Sequence, residues 1–117
     1  ALALLAALPP AEAKAALDRV EPALARFPLL SRGLLEREAE RARTRGHALV
    51  ADLITPGGGG VAVAIRAPEA GLTGAVSVVG PTDRILARET ELAAMLREEA
   101  ALIRERLLAS CGLENSI

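Results

Sequence analysis

Aromatic side chains are almost missing from this chain. Its 117 residues include one Phe and neither Tyr nor Trp. Recognition that stacks bases on aromatic faces, as in single-strand nucleic-acid binding, is therefore disfavoured. A surplus of charge is missing too. Fourteen basic residues face fifteen acidic ones, for a net charge of −1, whereas a protein that grips a phosphate backbone carries a basic excess. The chain is not expected to bind DNA by itself. Cysteine occurs once, at Cys111 near the C-terminal end. No intrachain disulfide can form, which fits a reducing compartment, and nothing around the thiol marks a nucleophile. Histidine also occurs once, at His47. With no second His and the Cys far away, neither a metal site nor a nucleophile–base pair has its residues. His47 reads as a surface or strand-start residue, and neither metal nor cofactor is expected. The longest early apolar run, Ala1 to Leu8, stops at Pro9-Pro10. A membrane span needs roughly 20 residues, and a signal peptide needs a basic leader that this run lacks. The expected location is cytoplasmic.

Aliphatic residues, by contrast, are plentiful. Half of the chain is hydrophobic (51%), enough to build a packed core, and the length suits one domain over residues 1–117. "ALALLAAL" reads as the end of a helix begun upstream. Pro9-Pro10 ends it and opens the next, with Glu12 near the positive end. Leu17, Val20, Leu24 and Phe27 follow at helical spacing; Pro22 splits this segment and Pro28 stops it. "SRGLLEREAERARTRG" reads as a further helix, capped by Ser31 and closed by Gly46, with Leu35, Ala39 and Ala42 as its apolar stripe. Arg41, Arg43 and Arg45 offer a phosphate grip, but the interspersed Glu36, Glu38 and Glu40 favour a solvated face.

"HALVADLI" reads as a short strand. Val61, Val63 and Ile65 then alternate with Ala62 and Ala64, and Ala75 to Val79 forms another strand. From "TDRILARET" onward a long amphipathic helix is expected. Thr82 and Asp83 sit in place to cap it, Leu92, Leu96, Ile103 and Leu107 line one face, and Met95 and Leu102 widen that face. Short loops between consecutive strands favour antiparallel pairing. The class is α+β, with helices packed on one face of an antiparallel sheet.

The most unusual stretch is "TPGGGGVAVAI", Thr55 to Ile65. A phosphate-binding loop needs a Lys after the glycines and a helix to aim at the anion; here no Lys follows and the next element is a strand. The glycines read as a turn between strands, or as a wall that lets another group approach the backbone closely. Ser77 interrupts an otherwise apolar strand. It is either a hydroxyl satisfied on backbone or a polar handle for a ligand in an apolar cavity. The carboxylates lie on helix faces without the pairing that acid–base catalysis needs, and no enzyme is expected.

The run "RTRGHALVADLITPGGGGVAVAI…GAVSVVGPTDRI", followed by a long amphipathic helix, resembles the effector-binding domain of isocitrate-lyase-regulator-type (IclR) transcription factors. Arg45-Gly46, Pro56-Gly57 and Ala75-Val76-Ser77-Val78-Val79-Gly80-Pro81 stand where that family has a basic-Gly helix end, a Pro-Gly turn and a strand close to A-x-S-x-S-G-P. "ALALLAALPP" is similar to the family's G-K-A-x-L-A-x-L-P. The resemblance implies a GAF-like fold and a sensor: a small-molecule effector beside the sheet, a homo-dimer or tetramer, and DNA contacted only through a winged helix-turn-helix domain absent from this chain. Carried over by position, the pocket residues are Gly60, Ser77 and Val79, with Ala62 beside Gly60, and Val50 where the family often has an acid. Val79 in place of a second serine, Val50 in place of the acid and Leu53 in place of a common glutamate make the pocket less polar. They favour a rather apolar effector, or none. Because the resemblance places part of the pocket and the first strands upstream of Ala1, self-association through sheet edges or the last helix is also expected. The alternative to a sensor is a dimerisation module without a ligand.

Overall fold

The computed structural model describes residues 2–110. Cys111, the single thiol, lies outside the described residues. Helix α1 (Leu2–Ala7) stops ahead of the proline pair, and α2 (Pro10–Val20) begins on the second proline with Glu12 in its first turn. A proline in the first turn forfeits only an amide that has no helical partner anyway. Pro22 has no amide to continue the ladder, and α2 gives way to a 3₁₀ turn, Glu21–Arg26. Helix α3 (Arg32–Arg45) has the caps its sequence predicts. Ser31 Oγ accepts the Leu34 amide at 3.1 Å, and Gly46 closes the helix in the left-handed region at φ 88°.

Strands β1 (Ala48–Ala51), β2 (Gly58–Ala67) and β3 (Leu72–Pro81) form an antiparallel sheet in the order β1-β2-β3. The alternation along β2 sets the register: Val61 faces Val78 and Val63 faces Val76. Helix α4 (Thr82–Ala87) follows directly, then α5 (Glu89–Ser110). The main core forms where Val61, Val63 and Ile65 meet Ile85 of α4 and Leu92, Ala93, Leu96 and Ala100 of α5, with Val76, Val78 and Ile103 at its margin. Val61 is fully buried, and a valine taken out of water contributes on the order of 1.5–3 kcal/mol.

The α+β class, the antiparallel sheet and the long C-terminal helix are as the sequence implies. The helices, however, are divided between the two faces. Ala62 and Ala64 point away from α5 and pack with Leu2, Ala3 and Ala6 of α1, Ala42 of α3 and Ala48 of β1. An alanine row reads as the solvated half of an alternating strand, but it is also flat enough for a helix backbone to lie close upon it.

Four further details depart from the sequence reading. The first strand ends at Ala51 and does not reach Ile54, because Asp52 turns the chain at φ 58°. Three of the four glycines lie inside β2, and only Gly57 belongs to the turn, at φ 80°. The terminal helix is broken at Arg88, and neither Thr82 nor Asp83 caps it: Pro81 holds the cap position without a side-chain bond. The buried face of α5 is Leu92, Ala93, Leu96 and Ala100, so Met95 and Leu102 are half exposed, at 52% and 45%, instead of widening it.

Candidate functional site

On the face opposite α5, two rows of residues run straight across the three strands. Val50, Gly60 and Val79 form one row, and Ala48, Ala62 and Ser77 the next. Leu2 and Ala3 of α1 close one side of these rows, and Ile54 and Thr55 of the β1–β2 loop close another. The result is a trough of about 510 Å³. All five residues expected at a ligand site, Val50, Gly60, Ala62, Ser77 and Val79, line it.

Glycine is needed at the floor. A Cβ at Gly60 would stand 3.2 Å from Val79 Cγ1 and 3.3 Å from the Val78 carbonyl oxygen. One at Gly59 would stand 3.0 Å from the Val50 carbonyl oxygen. The glycine segment therefore lets its neighbours close in on the backbone, which is the wall role and not the turn role. Among the described residues the lining holds no ionisable group, and its only side-chain hydroxyls are those of Thr55 and Ser77. One expectation needs correction. Ser77 is not a buried hydroxyl; it is exposed, and Val79 is 79% exposed. Both belong to β3, which has no strand beyond it in this sheet, so the trough is open on that side and not an enclosed cavity.

Beside the trough, where the glycine hairpin meets α4, lies a knot that the sequence reading missed. Asp52 adopts a left-handed backbone, which Asp tolerates better than most residues. Its Oδ1 accepts from the Gly57 amide and from the Thr82 hydroxyl, each at 2.7 Å. The Thr82 amide in turn donates to the Gly57 carbonyl oxygen at 2.9 Å. Thr82 is buried, at 7% exposure, so its hydroxyl serves this carboxylate and not the helix end. The knot ties the glycine hairpin to the first residue of α4. Its partners are 30 residues apart, beyond the reach of any local motif.

A second space adjoins the trough. Helices α1, α2 and α3, the 3₁₀ turn and the β1–β2 loop border a half-open space of about 450 Å³ lined only by aliphatic side chains, Leu5, Leu17, Leu24 and Leu35 among them. Leu2, Val50 and Ile54 line both spaces. The leucine spacing of the two flanking helices was the available signal for it.

His47 immediately precedes β1 but is not a surface residue. Its side chain is 10% exposed, and Nε2 lies 2.7 Å from Glu89 Oε2, with Arg45 Nη1 3.9 Å from the same oxygen. The arginine cluster is spent on carboxylates: Arg41 pairs with Glu38, and Arg43 pairs with Glu40 while bonding the Ala6 carbonyl. Nearby, Arg32 binds Asp18, Glu21 and Glu36 at once. These bonds hold the Asp18 carboxyl below its usual range and push the Arg32 guanidinium above its own. Among the described residues there is no group of His, Cys, Asp and Glu suited to a metal, and no helix is long and apolar enough to cross a membrane.

Residues 1–105 match the family model of the bacterial transcriptional regulator IclR C-terminal domain. No curated protein sequence matches the chain. Among solved structures, the chain is similar to a protein described as a transcriptional regulator from Rhodococcus sp. RHA1, with a TM-score of 0.72 and 25% identity over 93% of this chain and 46% of that one. It is similar to one described as an ICLR transcriptional regulator from Silicibacter sp. TM1040, with a TM-score of 0.69 and 26% identity over 91% and 42%. The C-terminal domain of a Vibrio cholerae protein described as a transcriptional regulator shares the fold, with a TM-score of 0.62 and 23% identity over 86% and 57%. The chain spans about half the length of these solved structures.

Proposed function

Since the chain belongs to the IclR family of bacterial transcriptional regulators through its C-terminal domain, we propose that it is the effector-sensing part of such a regulator. In this reading a small molecule binds in the trough over Gly60 and Ala62. Binding alters how a homo-dimer or tetramer holds DNA through a winged helix-turn-helix domain upstream. The observation that supports it best is the trough itself: two cross-strand rows of small side chains, two hydroxyls and no charge. A concave, largely apolar site with a few polar groups is what a small-molecule site consists of. The knot from Asp52 to Thr82 ties the glycine hairpin, whose Gly58 and Gly59 line the trough, to α4, and α4 packs on the same core as α5. Among the described residues no constellation supports catalysis.

The 79% exposure of Val79 favours a second reading, in which the trough face is an assembly surface and no ligand enters. Ser77→Leu separates the two in the full-length regulator. A sensor loses its thermal shift and its operator response to the effector, whereas a dimerisation module keeps its regulation. No stabilisation of the full-length protein by any member of a panel of neutral and anionic metabolites overturns sensing.

A further inference from the structure

We infer that the ligand of this trough is a neutral amphiphile with an aliphatic chain, its polar end at Ser77 and its hydrocarbon tail in the adjoining leucine-lined space. The inference rests on the sensing reading above and names the ligand's class. Three observations point the same way. The two spaces adjoin, sharing Leu2, Val50 and Ile54 in their linings. In the inferred pose, the tail of a ligand seated over Gly60 passes these three side chains into the second space. The second space contains no polar side chain at all, so only hydrocarbon can enter it without stranding a polar group. Finally, neither lining contains an aromatic ring or a cation. A carboxylate head would find no counter-charge and a flat aromatic ligand no stacking partner, whereas a hydroxyl, ester or amide head needs only the Ser77 hydroxyl on the open β3 side. Val20 and Leu24, on either side of Pro22, both line this space.

The test uses the full chain and straight-chain alcohols as probes, with binding followed by calorimetry. From 1-butanol through 1-hexanol to 1-octanol, affinity is expected to rise about fourfold per added methylene. Octanol is expected to bind more tightly than octanoate. Val20→Trp, at a residue 44% exposed on the cavity wall, is expected to abolish the gain with chain length while short diols still bind. Saturable binding of short polar probes with no gain for longer chains overturns the inference and leaves the sensing reading standing. Octanoate binding more tightly than octanol overturns the neutral head. Silence toward every probe, in a folded wild-type chain, overturns the inference, while the metabolite panel on the full-length regulator judges the sensing reading. A chain-length gain that survives both Val20→Trp and Ser77→Leu reports adsorption elsewhere and likewise overturns the inference. The chain-length series on the wild type decides the matter even where the tryptophan variant fails to fold.

Discussion

Replacing Gly59 by alanine tests whether the glycines of β2 are there for close approach. The backbone conformation is no obstacle, since Gly59 is not among the residues at positive φ. The added Cβ would stand 3.0 Å from the Val50 carbonyl oxygen, 3.4 Å from Thr82 Cα and 3.5 Å from Ile85 Cβ. The nearest two are backbone atoms and the third is a branched Cβ in the core, so none can swing aside. Overpacking of this kind costs about 1–3 kcal/mol. The entropy removed from the unfolded chain returns about 0.4–1 kcal/mol, leaving a net destabilisation of about 1 kcal/mol. Gly74, also in a strand and at negative φ, is the internal control: a Cβ there meets nothing within 4 Å, so only the entropic gain of about 0.4–1 kcal/mol remains. Urea and thermal unfolding of the two variants should move in opposite directions, with Gly59→Ala melting about 4 °C below the wild type. A Gly59→Ala protein as stable as the wild type, or a Gly74→Ala protein that falls equally far, would refute the close-approach argument.

Two further outcomes are expected. Thr82→Val keeps the shape of the buried side chain but strips one donor from the Asp52 carboxylate, and should destabilise by about 1.5 kcal/mol; in a double-mutant cycle with Asp52→Ala the losses should fall short of additivity, and strict additivity would show the knot to be inert. On the acid side, Asp18 is held low by Arg32 and Glu91 by Arg88. Depressed carboxylates stabilise the fold above their unfolded values, near pH 4, and that contribution disappears as the pH falls through the folded values. Arg32→Met should flatten the low-pH limb of a stability–pH curve, and an unchanged limb would discount the Arg32 cluster.

The parts of the molecule that were legible in the sequence are those specified by near neighbours. Ser31 and Gly46 mark the ends of α3 because a cap needs only residues three or four positions away. The buried row Val61, Val63, Ile65 follows from period two alone. The trough residues followed from the family resemblance and from Ser77 standing in an apolar strand. What stayed hidden has physical reasons. Glycines have no side chain to reveal a strand's alternation, so Gly58 to Gly60 read as a turn. Ala62 and Ala64 look like filler until α1 lies on them. Helix periodicity announced neither the break at Arg88 nor that the small Ala93 and Ala100, and not Met95 and Leu102, complete the buried face of α5. His47 with Glu89, and Asp52 with Thr82, meet only after the sheet has brought distant segments together.

The stitched β1–β2 connection bears on affinity. Besides the bonds of the knot, the Asp52 amide donates to the Gly58 carbonyl oxygen at 2.9 Å and the Gly58 amide to the Thr55 carbonyl oxygen at 3.0 Å. A loop tethered this densely has already surrendered much of its freedom. Under the proposed sensing role, association would forfeit little further conformational entropy there, and more of the contact energy would remain as net affinity. The kinetic signature expected of such a ready-made entrance is fast, shallowly temperature-dependent capture.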